Sequence, residues 1–108
     1  MSFQILLTDD ASRDLENLYD HIDFHDAPGK ADYVLGQIEE AFTSLSENPE
    51  RGTYPKELLA AGLREYRKIY FKPYRIIYRV MAKHVYVMVI ADGRRDMQVL
   101  LQRRLLQA

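Results

Sequence analysis

Six basic side chains in the second half of the chain have the types and spacing needed to bind an anion. They are Arg67, Lys68, Arg75, Arg79, Arg94 and Arg95. Arginine binds phosphate or carboxylate through two parallel hydrogen bonds, which lysine does less well. If neighbouring strands bring these groups together, they form an anion site. The alternative is a solvated face whose charges prevent strand edges from aggregating. The residue types leave both interpretations open.

The tyrosines and histidines give weaker signals. Five of the eight tyrosines fall in predicted strands, where cross-strand pairing is a simpler role than stacking on nucleic-acid bases. His21 and His25 are one helical turn apart, but Ile22, Asp23 and Phe24 between them lack the glutamate of the zinc-protease helix. We therefore predict solvated histidines and no metal site.

Other catalytic arrangements are missing from the sequence. The chain has no cysteine, so a disulfide framework, a thiol nucleophile and a cysteine-ligated zinc are excluded. We find no glycine-rich phosphate loop, no Ser/His/Asp set and no convincing carboxylate pair. The sequence therefore predicts no cofactor, and by itself it does not indicate an enzyme.

Charge divides the chain into two halves. Residues 1–48 hold eleven Asp or Glu against two Lys or Arg, whereas residues 49–108 hold five against thirteen. The net charge of −1 therefore conceals a strongly polarised molecule. Such a distribution attracts an anionic partner to the basic half.

Length and composition indicate one globular domain over residues 1–108, with 47% hydrophobic residues. No apolar run approaches the ~20 residues that span a bilayer. The N-terminus has no basic start and becomes acidic at once, unlike a signal peptide. We expect a soluble cytoplasmic protein without membrane contact.

The first half predicts a strand followed by two helices. The strand covers residues 3–8, and Asp9 or Asp10 is positioned to cap the first helix. Apolar residues then recur at helical spacing as far as Ile22. A break at residues 26–29 places Pro28 as the first residue of a second helix, which stops before Pro49. Two amphipathic helices joined by a short break predict an antiparallel hairpin.

The second half predicts a loop, three strands and a helix. Residues 49–63 contain two prolines and two glycines and read as a loop. Period-two alternation over residues 64–71, 74–81 and 84–91, with two-residue connections, predicts an antiparallel meander. Residues 94–106 predict a final helix, whose Leu101 and Leu105 either pack on the sheet or receive a partner. The predicted fold is α+β, in the order β-α-α-β-β-β-α, with the helical hairpin packed on one sheet face.

This order of elements, together with a set of short motifs, resembles the RelE/ParE superfamily of toxins from bacterial type II toxin–antitoxin modules. The motifs cover nearly the whole chain in the expected order. They are Ala11-x-x-Asp14-Leu15, Leu45-x-x-Asn48-Pro49-x-x-Gly52, Gly62-Leu63-Arg64, Pro73-Tyr74-Arg75-Ile76-Ile77-Tyr78-Arg79-Val80 and Ile90-x-x-Gly93-Arg94-Arg95-Asp96.

The resemblance implies one of two activities. RelE-like toxins cut messenger RNA in the ribosomal A site with a basic cluster, often with a tyrosine or histidine near the C-terminus as acid/base. Here Arg75 and Arg95 are similar to two arginines of that cluster, and either Lys68 or Arg67 is similar to its strand lysine, but the position expected for the tyrosine holds Leu101. Loss of the acid/base costs about 10²–10⁴-fold in rate. ParE-like toxins keep the fold, lack the catalytic set and poison DNA gyrase. We favour the ParE-like branch, with ribosome-dependent RNA cleavage as the alternative.

The resemblance also implies a cognate antitoxin. Its toxin-binding segment is expected to be acidic and amphipathic, to match the basic half and the apolar last helix. Operator DNA is expected to be bound through the antitoxin alone. The side chains expected to contact the target or the antitoxin are Arg67, Arg75, Arg79, Arg94, Arg95, Leu101 and Leu105.

Overall fold

The computed structural model describes residues 2–106. In chain order its elements are β1 (Gln4–Leu7), α1 (Asp9–His25), α2 (Lys30–Thr43), α3 (Lys56–Leu59), β2 (Tyr66–Phe71), β3 (Tyr74–Met81), β4 (His84–Asp92) and α4 (Met97–Leu101). A 3-10 turn follows α2 and a π-helical turn, Gln102–Leu106, follows α4. The predicted α+β order is confirmed. One element is additional, because α3 lies in the segment predicted to be a loop and is too short to give a periodic signal.

The four strands form one sheet in the order β1-β4-β3-β2. The meander β2-β3-β4 is antiparallel, as predicted, and β1 adds to β4 in parallel, with Gln4 opposite His84. The sheet is therefore mixed. One face packs against α1 and α2, and we call it the hairpin face. The other, which we call the outer face, packs against α3 and α4.

A β-bulge at Met88 interrupts the alternation of β4. Ile77 pairs with Val89, but the next residue of β3, Tyr78, pairs with Val87. The extra residue reverses the direction of the side chains that follow. Val87 and Ile90 consequently both belong to the core on the hairpin face, while Val89 belongs to the core on the outer face.

Two predicted helix starts differ from the structure. The cap of α1 is Thr8, whose hydroxyl accepts a hydrogen bond from the Ala11 amide at 3.1 Å. Asp9 and Asp10 instead occupy the first turn, where their charges favour the positive end of the helix. The second helix begins at Lys30 and not at Pro28, since Gly29 precedes it with a φ of 87°. That left-handed conformation is readily available only to glycine.

The loop after α2 is fastened to the sheet by one tyrosine. Tyr78 on β3 is fully buried, and its hydroxyl donates to the Pro49 carbonyl at 2.7 Å and accepts from the Gly52 amide at 3.1 Å. Burial raises the pKa of the Tyr78 hydroxyl, although the hydrogen bond from Gly52 partly opposes this. The loop therefore has a fixed position relative to the meander. Within residues 2–106, no helix has the length and apolar character required to cross a bilayer.

Candidate functional site

Alternation places Lys68, Arg75 and Arg79 on the outer face of the sheet. Their strands are adjacent and antiparallel, with Tyr70 opposite Arg75 and Tyr66 opposite Arg79. The guanidinium of Arg79 lies 5.8 Å from the centre of the Tyr66 ring, and that of Arg75 lies 5.9 Å from the centre of the Tyr70 ring. Such cation–aromatic contacts stabilise the pairs and orient the cations.

Arg75 is held in a buried ion pair. Its side chain is 10% exposed, and its Nη1 donates to the Glu57 Oε1 at 2.9 Å. Glu57 comes from α3, the short helix that the sequence did not predict. The Nε of Arg75 is buried without a hydrogen-bond partner. Arg75 therefore has limited capacity to grip an incoming anion while Glu57 remains in place.

Lys68 and Tyr70 form a second small cluster on the outer face. The Lys68 ammonium donates a hydrogen bond to the Tyr70 hydroxyl, and Tyr70 is 42% exposed. This hydrogen bond, assisted by the positive charge of Arg75, lowers the pKa of the Tyr70 hydroxyl below its usual value. Tyr70 is thus an accessible ionisable oxygen beside two cations. The sequence showed only a strand tyrosine, because the Lys68 contact depends on alternation within β2.

Tyr70 is expected to ionise at a lower pH than Tyr19, Tyr74 and Tyr78. The pKa of Tyr19 is raised by its hydrogen bond with Asp32, and burial raises the pKa of Tyr74 and of Tyr78. An ultraviolet absorbance titration of phenolate should show an early phase that Tyr70→Phe removes. Tyr19→Phe is the control and should leave that phase intact. An early phase that survives in Tyr70→Phe would contradict the assignment.

The remaining three arginines of the predicted cluster lie elsewhere, so the six basic residues do not converge. Arg67 points to the hairpin face, where it donates to the Gly52 carbonyl at 2.9 Å and stacks 4.6 Å from the centre of the Tyr54 ring. Arg94 and Arg95 follow β4 at one end of the sheet. Alternation separates Arg67 from Arg75, and the chain turn at Gly93 carries the last two away.

Arg94 and Arg95 line a groove of about 570 Å³ between the end of β4 and α1. Arg94 is bound to Asp92 through bonds of 2.9 Å from its Nε and 2.6 Å from its Nη2. The Arg94 guanidinium lowers the pKa of the Asp92 carboxyl. The positive charge of Arg95 also lowers that pKa, and among the described residues no hydrogen bond is found for the Arg95 side chain. The groove therefore presents two guanidinium groups near the Asp92 carboxylate, and Arg94 is hydrogen-bonded to it.

His21 and His25 line the same groove, which sequence spacing did not reveal. Their rings lie 4.4 Å apart, centre to centre. Across residues 2–106, no three His, Asp or Glu side chains are grouped so that they could hold a metal ion.

The two leucines predicted to contact a partner pack inward. Leu101 is fully buried in the core of the outer face, and Leu105 packs partly against that core. The helix α4 therefore closes onto the sheet, which is the first of the two alternatives predicted for these leucines, and their contact with a partner stays a prediction. The apolar side chains that α4 and the π-helical turn leave accessible are Val99 and Leu106, at 54% and 42% exposure.

The C-terminal segment is anchored to α1 by a bidentate ion pair. Arg104 donates to both carboxylate oxygens of Asp14 at 3.0 Å and to the Met88 carbonyl at 3.0 Å. Asp14 also accepts from the Ile90 amide at 2.9 Å. The pair thus satisfies backbone groups beside the bulge, where β1 no longer covers β4. Sequence spacing gave no sign of a contact between residues 90 positions apart.

Arg104→Ala is expected to lower the free energy of unfolding by about 2–3 kcal/mol. The Arg104 and Asp14 side chains are 18% and 17% exposed, so the loss should fall somewhat below the 3–5 kcal/mol typical of a broken, fully buried pair. Urea denaturation measures the change. Arg13→Ala is the control, because its pair with Asp10 is more than half exposed, and it should cost at most about 0.5 kcal/mol. Equal losses in both variants would contradict the anchoring role.

Comparison with known proteins identifies the family. A model described as ParE toxin of type II toxin-antitoxin system, parDE, matches residues 5–97. No curated protein sequence gives a significant match. The solved structures that share the fold include three of low sequence identity. The chromosomal ParDE system of P. aeruginosa is 22% identical, with a TM-score of 0.69 over 84% of this chain and 96% of that chain.

The two other structures are RelE-type toxins. The RelBE2 complex of Mycobacterium tuberculosis is 23% identical, with a TM-score of 0.56 over 85% of this chain and 99% of that chain. Free E. coli RelE, as an arginine double mutant, is 16% identical, with a TM-score of 0.62 over 97% of this chain and 100% of that chain. The family model covers most of the chain, and these structures agree with it in fold. The chain therefore belongs to the ParE family, the toxins of type II toxin–antitoxin systems.

Proposed function

We propose that this ParE-family toxin poisons DNA gyrase by trapping its cleaved-DNA state. The observation that carries the proposal is how Arg75, Leu101 and Arg95 are placed in the structure. Glu57 holds Arg75 in an ion pair, and Leu101 occupies the expected acid/base position as a fully buried aliphatic side chain. Arg95 lines a different groove, beside α1. These three features favour a binding protein over a nuclease.

The test is a gyrase reaction containing the purified toxin, ATP and relaxed plasmid. Inhibited supercoiling together with accumulated linear DNA is the expected result. A folded toxin that leaves supercoiling unchanged would overturn the proposal. Mapping of messenger RNA ends during growth arrest completes the test. Gyrase poisoning predicts that messenger RNA is not cut at codons in the ribosomal A site.

The double substitution Arg94→Ala and Arg95→Ala is expected to weaken the trapping of cleaved DNA by about tenfold or more, as loss of an exposed arginine anchor often does. Arg94 is 76% exposed and Arg95 is also exposed, so both are accessible to a target. Titration of linear DNA against toxin concentration measures the effect. The control is Arg13→Ala with Arg103→Ala, which removes the same charge. Equal potency of the two double variants would refute a specific role for Arg94 and Arg95.

We propose that a cognate antitoxin with an acidic amphipathic segment neutralises the toxin, and that operator DNA is bound through the antitoxin. The P. aeruginosa relative is a ParDE toxin–antitoxin system, which supports such a partner. Residues 49–108 supply the excess of positive charge, while Val99 and Leu106 supply exposed apolar contacts. We expect nanomolar or tighter binding that salt weakens only in part. Complete loss of binding at moderate salt would count against the apolar contribution. A cytoplasmic location follows from this proposal.

One observation favours ribosome-dependent RNA cleavage as a second candidate. Tyr70, with its lowered pKa, offers the ionisable oxygen that Leu101 lacks, and it lies beside Lys68 and Arg75. Under this hypothesis Tyr70 exchanges the proton of the RNA 2′-hydroxyl. Expression of the toxin would then produce A-site cuts that Tyr70→Phe abolishes. Uncut transcripts in arrested cells would exclude the candidate.

A further inference from the structure

We propose that Asp92 is a positioning residue, which holds the Arg94 side chain so that one edge of its guanidinium faces the target. Asp92 is the last residue of β4, and Arg94 lies in the turn that joins β4 to α4. The inference rests on the proposed function, in which Arg94 and Arg95 contact the gyrase complex.

The Asp92 carboxylate binds both the backbone and the side chain of Arg94. Its Oδ1 accepts hydrogen bonds from the Arg94 amide and from the Arg94 Nε, each at 2.9 Å, and its Oδ2 accepts one from Nη2 at 2.6 Å. Two parallel bonds between a guanidinium and a carboxylate fix the plane of the guanidinium. Most surface ion pairs hold their side chains only weakly, but a bidentate pair such as this one is the exception. The orientation of Arg94 is therefore set by Asp92.

The bonds to Asp92 leave the other edge of the Arg94 guanidinium available. A guanidinium carries five N–H groups, of which Asp92 binds the one on Nε and one on Nη2. The remaining three are on Nη1 and Nη2, and the Arg94 side chain is 76% exposed, whereas that of Asp92 is 25% exposed. The edge formed by Nη1 and Nη2 matches two oxygens of an anionic group in the same bidentate way. Asp92 thus determines which edge of Arg94 a target meets.

The turn between β4 and α4 is also held in place. The Gly93 amide donates to the Pro73 carbonyl at 2.8 Å, and the Arg95 amide donates to the Asp92 carbonyl at 3.1 Å. A methyl group on Gly93 would lie 3.1 Å from the same Pro73 carbonyl, so the turn runs close against the start of β3. At its other end the Asp96 side chain caps α4, where it accepts a backbone hydrogen bond at 3.1 Å. A side chain and a backbone that are already ordered lose little conformational entropy on binding, which increases affinity.

The direction of the Asp92 contribution separates positioning from simple charge. The hydrogen bond from Arg94, together with the positive charges of Arg94 and Arg95, lowers the pKa of the Asp92 carboxyl, so this group is ionised at neutral pH. A negative charge beside two arginines weakens their attraction for an anionic group, so charge alone predicts that removal of the carboxylate strengthens target binding. Positioning predicts the opposite, because an Arg94 side chain that is not held must be ordered when the target binds.

The first experiment does not depend on gyrase. It measures, by nuclear magnetic resonance of the ¹⁵N-labelled full chain, how fast the Nε–H proton of Arg94 exchanges with water. Asp92→Asn keeps an oxygen for the Arg94 amide but loses the charged bidentate bond, so exchange should become about tenfold faster. Arg94→Lys identifies the signal, and Asp96→Asn is the control that should leave it unchanged. Equal exchange rates in the wild type and in Asp92→Asn would overturn the proposal.

The second experiment measures the toxin concentration that gives half of the maximal trapping of gyrase cleavage. Asp92→Asn should raise that concentration about three- to tenfold, which corresponds to the cost of ordering one long side chain. The control Asp96→Asn removes the same charge four residues away, and asparagine caps a helix as well as aspartate does. This control should not raise the concentration. Full or increased potency of Asp92→Asn, as charge alone predicts, would overturn the proposal.

A third comparison tests whether Asp92 acts through Arg94. When Arg94 is already replaced by alanine, Asp92→Asn should not weaken trapping further, since no guanidinium is left to orient. An equal loss in the two backgrounds would contradict the positioning role and indicate a structural one. A wild-type toxin inactive on gyrase would refute the proposed function instead, and the proton exchange rates would still show whether Asp92 holds Arg94.

Discussion

Gly52→Ala is expected to lower the free energy of unfolding by about 3 kcal/mol. A methyl group at this position would lie 2.6 Å from the Tyr78 hydroxyl and 2.7 Å from the Lys68 carbonyl, closer than real contacts allow. Over-packing of a tight site costs about 1–3 kcal/mol, and each disturbed hydrogen bond of Tyr78 adds about 1 kcal/mol. Urea denaturation monitored by circular dichroism measures the loss.

Gly36→Ala is the matched control for Gly52→Ala. Gly36 lies within α2, and a methyl group there would meet no atom within 4 Å. Alanine is about 1 kcal/mol more favourable than glycine inside a helix, so this variant should gain stability by about that amount. Opposite signs for the same chemical change would demonstrate that the contact at Gly52 is responsible. If Gly52→Ala left the free energy of unfolding unchanged, the loop would have moved away from the sheet without loss of stability, and the prediction would be wrong.

The behaviour of Gly52 gives a physical meaning to one of the family motifs. In Asn48-Pro49-x-x-Gly52, the proline carbonyl and the glycine amide are the two groups that the Tyr78 hydroxyl joins. Tyr78 itself belongs to the central motif of the meander. The two motifs therefore form one contact, in which one supplies the Tyr78 hydroxyl and the other supplies the backbone groups that bind it. They are evidence for the fold, and they carry no information about the toxin's target.

The parts of the fold that depend on local pattern could be predicted from the sequence. The bounds predicted for β3 agree with the structure at both ends, because alternation over eight residues is flanked by two short turns. The features that the sequence did not predict depend on contacts between distant residues or on very short segments. The parallel pairing of β1 with β4 joins residues 80 positions apart, and the bulge at Met88 changes which side chains of β4 face the helices. The four residues of α3 are too few for a periodic pattern.

The candidate site was less predictable because charged side chains choose partners in three dimensions. Alternation correctly placed Arg75 and Arg79 on one face, but it could not show that Glu57 occupies the hydrogen-bonding capacity of Arg75. In the same way, Arg104 reads as one cation in a basic half until Asp14 is seen beside it. The residue types identified which charged groups are present at these positions. The fold determines which of those groups are already bound to another side chain and which can still bind a partner.

Glu57→Gln is expected to lower the free energy of unfolding by about 3 kcal/mol, near the lower end of the range for breaking a buried ion pair. Both partners are about 10% exposed, so the Arg75 cation would remain enclosed without a counter-charge. Its Nε already lacks a hydrogen-bond partner, which leaves little alternative bonding. Replacement of both residues, as Glu57→Leu with Arg75→Met, should recover most of the loss, because apolar substitutes of similar size often match a buried pair. Urea denaturation of the single and double variants measures both effects. A double variant no more stable than Glu57→Gln would contradict the ion-pair explanation.

The same double variant separates the two candidate functions. It removes Arg75 while keeping the fold, so loss of activity cannot be attributed to unfolding. Cleavage of RNA through the outer face needs that guanidinium, whose loss should abolish A-site cuts. Gyrase poisoning through Arg94 and Arg95 does not need it, because Arg75 is enclosed beneath α3. We therefore expect the folded double variant to trap gyrase cleavage at the same concentration as the wild type. A stable double variant without any effect on gyrase, compared with an active wild type, would place the target contact on the outer face instead.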